Sequence, residues 1–153
     1  LVDLVGVDGC ARWFGSTAPL PPALVAHTMD RIGRHTAELT ELALCEAMTI
    51  DGLRWYGPAA GVPRSPLVAF NVAGVDPFSL AEELGREGVE ARAGCHCATL
   101  AHRELGMDPP ASCRLSFALY NTPGDVTHAM DAVRRVADRL RRGGRRCLRR
   151  PAT

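Results

Sequence analysis

The sequence predicts an α+β fold: a small antiparallel or mixed sheet of about four strands with helices packed on one face. Three observations carry this. Apolar residues recur at helical spacing in two long segments, roughly 23–48 and 123–140. Between them lie short apolar or alternating runs bounded by Gly, Pro, Asn and Asp. The order reads helix, strand, strand, helix, strand, strand, helix, and strands in close succession favour an antiparallel or mixed sheet layered on helices.

Leu1 to Phe14 is apolar and reads as the end of a helix, which Gly15 to Pro22 breaks with glycine, serine and three prolines. A long helix is expected over Ala23 to Met48, where Val25, Met29, Ile32, Leu39 and Leu42 form the apolar stripe. Leu53 to Tyr56 reads as a short strand ending at Gly57-Pro58, and Leu67 to Val72 as a second. Asp76 is a favoured helix cap and Pro77 suits the first helical position. Gly88 is the expected stop of that helix. Val89 to Ala93 alternates, with Val89, Ala91 and Ala93 on one face and Glu90 and Arg92 on the other. A short helix is expected over Ala98 to Leu105, then a strand over Cys113 to Tyr120. Thr122-Pro123 caps a last helix in which Val126, Met130, Val133, Ala137 and Leu140 share a face.

All 18 basic residues among the 153 are arginine. Six of them lie in the last thirteen residues, from Arg141, without an acid, leaving the body a balance of −5. An acidic body with a basic tail argues against a nucleic-acid fold, whose basic patch belongs on the folded surface. The tail, 141–153, reads as a solvated, disordered end. No signal peptide or membrane-length apolar run is visible, which points to the cytoplasm. The chain opens on Leu1 rather than Met, so the expectation is a fragment or one chain of a split protein. The six cysteines, Cys10, Cys45, Cys95, Cys97, Cys113 and Cys147, are not spaced as a disulfide framework and read as reduced thiols. For Cys10, Cys45 and Cys113 the expected place is the core.

The stretch Gly88 to Leu100, GVEARAGCHCATL, carries the candidate chemistry. Cys95, His96 and Cys97 are soft ligands that His102 and Cys113 would extend, but adjacent positions on a strand or turn point apart, and zinc pairs favour wider spacing. Alternatively a thiol there is reactive, with Arg92, Arg114 and His96 supplying a positive field. Arg114, near the start of an apolar strand, is either an edge residue or a guanidinium held for a carboxylate. Spacing alone leaves these readings open. Cys95 and Cys97 are too close along the chain for an unstrained disulfide.

Two motifs then coincide. RAGCHCATL, from Arg92, resembles the R-x-G-x-H-C-A segment of group II cysteine desulfurases, members of the class V aminotransferase family along with selenocysteine lyases. CRLSFALYNT, from Cys113, is similar to the R-x-S-x-x-x-Y-N-T segment that follows in those proteins. LRWYGP and SPLVAFNVAGVDPFSLAEELGREGV extend the resemblance more weakly over about 23–140. The resemblance implies the small C-terminal domain of a fold type I enzyme: 1–18 as the end of a helix from a large domain, 19–140 as the small domain, 141–153 as the tail. It implies a homodimer using pyridoxal phosphate to remove sulfur from L-cysteine, leaving alanine and a persulfide for an acceptor protein, as in iron–sulfur cluster assembly. On it, Cys97 matches the persulfide-forming nucleophile, His96 the histidine beside it, Arg114 the arginine gripping the substrate carboxylate, and Arg92 the arginine before the cysteine loop. Cys95 stands where the family often has a second histidine, which leaves sulfur chemistry in place and the exact substrate open; the family resemblance gives selenocysteine as an alternative. An epimerase or aminotransferase, or a non-catalytic sulfur-relay module, are the other readings. The family's cofactor lysine has no counterpart here, so the chain is expected not to carry pyridoxal phosphate alone.

Overall fold

The computed structural model describes residues 22–59, 61–107 and 110–147. The expected helix end at Leu1–Phe14, the break after it, Cys10 and residues 148–153 of the tail lie outside them.

Helix α1 spans Pro22–Ala47, strand β1 Leu53–Tyr56, and strand β2 Leu67–Val72. Helix α2 follows at Pro77–Arg86, strand β3 at Arg92–Gly94, the short helix α3 at Thr99–Glu104, strand β4 at Ser112–Ser116, and helix α4 at Pro123–Cys147. The strands form one sheet in the order β1-β2-β4-β3, each neighbouring pair antiparallel. The predicted class therefore stands, and the mixed alternative gives way to an all-antiparallel sheet.

Strand alternation sorts the sheet into two faces. Val68, Phe70 and Val72 of β2 and Cys113 and Leu115 of β4 point into the core. Register sets Trp55, Phe70, Cys113 and Ala93 in one row there. The helices close that face. Leu39, Ala43, Leu44 and Ala47 of α1, Leu80 and Leu84 of α2, and Val126, Met130, Val133 and Ala137 of α4 are buried in the same cluster.

Several boundaries differ from expectation. Val25 and Met29 are exposed, so the core-facing stripe of α1 begins only near Thr36. Cys45 is exposed rather than buried. β3 begins at Arg92 because the Val89 N–H bonds back to Leu84 O at 2.9 Å as part of the α2 stop, not to a strand. β4 ends at Ser116, four residues before Tyr120. Beyond it the Ala118 N–H donates to Asn121 Oδ1 at 2.9 Å and the chain turns. The boundary expected at Leu140 falls inside a helix, which continues to Cys147. Arg141 is tied down, donating to Ala73 O at 3.0 Å and Asp51 O at 2.8 Å. No helix among the described residues is long and apolar enough to cross a membrane.

Candidate active site

The face turned away from the core carries the predicted site. Arg92 and Arg114 are direct partners across β3 and β4. Ala69 faces Arg114 on the other side, and Tyr56 faces Ala69, so Tyr56, Ala69, Arg114 and Arg92 make a row. Like charges placed directly opposite destabilise a sheet. Neither guanidinium joins an ion pair among the described residues, and Arg114 Nε is buried without a hydrogen-bond partner. Ala69, between Arg114 and Tyr56, carries the smallest side chain of the row. An anion such as a carboxylate relieves the repulsion and satisfies the fork of donors.

β3 leads straight into the thiol turn. The Ala98 N–H donates to Cys95 O at 2.7 Å, closing four residues. The two central residues, His96 and Cys97, sit at φ of 48° and 61°. Positive φ at both positions normally calls for Asn and Gly, so His and Cys there cost about 1–3 kcal/mol each. Cys97 is exposed, Cys95 half-buried, and both are free. The nearby Thr99 side chain first, and then the backbone at Cys97, hold the Cys95 thiol below its ordinary value.

Two histidines stitch the turn to one residue of β4. His96 Nε2 lies 3.0 Å from Ser112 O. A carbonyl only accepts, so Nε2 carries the proton and Nδ1 is bare. That Nδ1 is buried and without a partner. Burial, and less strongly the charges of Arg114, His102 and Arg92, push the His96 pKa down against the pull of the Ser112 carbonyl. His102 Nδ1 donates to Ala98 O at 2.9 Å, and its Nε2 lies 3.0 Å from Ser112 Oγ.

Of the four predicted site residues, Arg92 and Arg114 pair across the strands, His96 lies within reach of their charges, and Cys97 follows His96 in the turn. Cys113 points the other way, into the core, and burial raises its thiol pKa to about 12. Among the described residues no group of three or more His, Cys, Asp or Glu side chains is arranged to hold a metal. Sequence reasoning considered His102 only as a ligand and missed Ser112 and Asn71. Asn71 Nδ2 donates to Ala111 O at 2.9 Å, and its buried Oδ1 is unpartnered at the edge of a 310 Å³ cavity also lined by Tyr56 and Met107. The signal for Asn71 was its alternation with Phe70, but its partner lies 40 residues away.

The aminotransferase class-V family model matches residues 6–128. A probable cysteine desulfurase of Staphylococcus epidermidis is 39% identical over 109 residues, 71% of this chain and 26% of that protein. One from Halobacterium salinarum is 42% identical over 105 residues, 69% of this chain and 25% of that protein. The chain thus spans about a quarter of the length of these relatives. Among solved structures, the cysteine desulfurase CsdA of Escherichia coli superposes with a TM-score of 0.65 at 29% identity, covering 81% of this chain and 33% of that one. The apo cysteine desulfurase of Thermococcus onnurineus NA1 does so with a TM-score of 0.69 at 25% identity, covering 76% of this chain and 28% of that one.

Proposed function

The chain belongs to the class-V aminotransferase family, and from that membership we propose that it supplies the nucleophile and the carboxylate clamp of a cysteine desulfurase. The observation that carries this reading is the unpaired Arg92–Arg114 row beside the turn that presents Cys97. Arg114 and Arg92 hold the carboxylate of L-cysteine. The Cys97 thiolate attacks the substrate sulfur. The S–S bond forms as the substrate's C–S bond breaks, the electron pair stays with the β-carbon, which takes up a proton and leaves as alanine, and an acceptor thiol then collects the outer sulfur from the exposed side chain. The homodimer and the cytoplasmic setting belong to the same proposal.

The family's cofactor, pyridoxal phosphate, acts as an electron sink when bound. The residues present do not fit it. It is held through an amine, and the donor set of this chain is guanidinium throughout, without a lysine. That amine has to come from residues outside these 153.

The test is mutation in the complete enzyme. Cys97→Ser is expected to abolish sulfide release while the cofactor's absorption band persists; full release would overturn the assignment. Arg114→Ala removes a charge-assisted pair, so kcat/KM is expected to fall by about tenfold or more. An unchanged kcat/KM contradicts the clamp.

A further inference from the structure

The thiol turn is held to β4 at two points, and both points are Ser112. His96, the second residue of the turn, donates to Ser112 O. His102 bridges the turn's last residue, Ala98, to Ser112 Oγ. Cys97 lies between these two stitches, and Ser112 lies two residues before Arg114 on the same face of the strand. Ser112 is fully buried and His102 is 7% exposed, so neither bond competes with much water. A turn with two strained central residues persists only where its surroundings over-determine it, and these bonds are what surrounds it.

We propose that His102 and Ser112 are positioning residues that fix the reach from Cys97 to the Arg92–Arg114 pair, with the two histidines locked in opposite tautomers. His102 makes its bond to Ala98 O through Nδ1–H, so its bare Nε2 accepts the Ser112 hydroxyl proton. His96 makes its bond through Nε2–H and keeps Nδ1 bare. Two carbonyls therefore set the two rings: Ser112 O selects one tautomer and Ala98 O the other, and the Ser112 hydroxyl completes the second by donating to it. A ruler of this kind ties nucleophile and clamp into one rigid unit, so a carboxylate gripped by the arginines meets the sulfur at a set distance. The inference rests on the reading of Cys97 as nucleophile and of the arginines as a carboxylate clamp.

The test uses two alkylating agents of the same reach on the full chain. Iodoacetate carries a carboxylate and iodoacetamide does not. Modification at Cys97 is followed by peptide mass spectrometry, and the rate ratio is normalised to that of glutathione. The wild-type ratio is expected to favour iodoacetate by about tenfold, the size of one charge-assisted contact. In Ser112→Ala and in His102→Phe it is expected to drop to within about twofold of glutathione, although both arginines remain. No preference in the wild type would sink the clamp reading itself. A preference that survives in both variants would overturn the positioning role and leave the clamp intact. A tautomer measurement needs no variant that must fold: long-range ¹H–¹⁵N spectra of the wild-type chain are expected to show Nε2–H at His96 and Nδ1–H at His102. The same tautomer at both rings, or averaging at either, overturns the proposal.

Discussion

His96 concentrates the electrostatics of the site in one ring. It is half-buried, it lies among Arg114, His102 and Arg92, and its pKa is below the ordinary 6.5 because burial disfavours the charged form. In the unfolded chain it takes up its proton near pH 6.5. The unfolded state then binds more protons than the folded one, so stability is full above that pH and falls as pH drops through it. Urea unfolding at pH 7.5, 6.5 and 5.5 is expected to show this loss, and His96→Gln to flatten the slope in that window. An equal slope in the variant would remove His96 as its source. Cys113 shows the opposite treatment of a side chain. Its thiol, pushed up to about 12 by burial, is a packing group with no nucleophilic role at neutral pH.

Among the elements, the ends are set by local chemistry. Thr122 Oγ1 accepts the Asp125 N–H at 3.2 Å, and Asp125 Oδ2 accepts the Thr122 N–H at 2.8 Å, a reciprocal box at the start of α4. The Asp125 carboxyl is held below its usual value, first by the Thr122 backbone and then by its hydroxyl. Thr122→Ala is expected to cost about 1 kcal/mol, seen as a lower urea midpoint with the same slope. A neutral result would show that the box does not carry the end of this helix. Asp76 does the same for α2, accepting from the Ser79 N–H at 2.8 Å. The stop of α2 needs Gly88, at φ 79°, where a side chain would be strained. The sheet is less local. β3 is an edge strand of three residues with one neighbour, so little but the β4 ladder defines its limits.

For the molecule as a whole, the core is the single layer between the sheet and α1, α2 and α4. Phe70 is its centre: fully buried on the strand that pairs with both β1 and β4. Phe70→Ala is expected to destabilise by about 3–5 kcal/mol, a large part of the ~5–15 kcal/mol of an ordinary domain. Denaturant midpoints check this, and a loss below about 1 kcal/mol would mean that the core repacks. Among the described residues, the core cluster does not extend over the Tyr56–Ala69–Arg114–Arg92 row. The sheet thus packs one face and carries a pair of like charges on the other, where the fold itself derives no stability from them.

The sequence alone determined α1 to within a residue at each end, both ends of β1 and β2, the caps of α2 and α4, and the core stripe of α4. Helical period, strand alternation and cap chemistry act over a few residues, so they are legible in order along the chain. It also marked Arg92, His96, Cys97 and Arg114, because two motifs carry them. Tertiary structure alone decided that Arg92 and Arg114 face each other and that Cys45, expected in the core as Cys113 was, is exposed. Register between strands is set by long-range pairing, and a shift of one residue would send each arginine to the core face. The role of Ser112 was hidden for the same reason. Its partners, His102 and His96, lie 10 and 16 residues away, and no local spacing announces a bond that only the folded sheet can close.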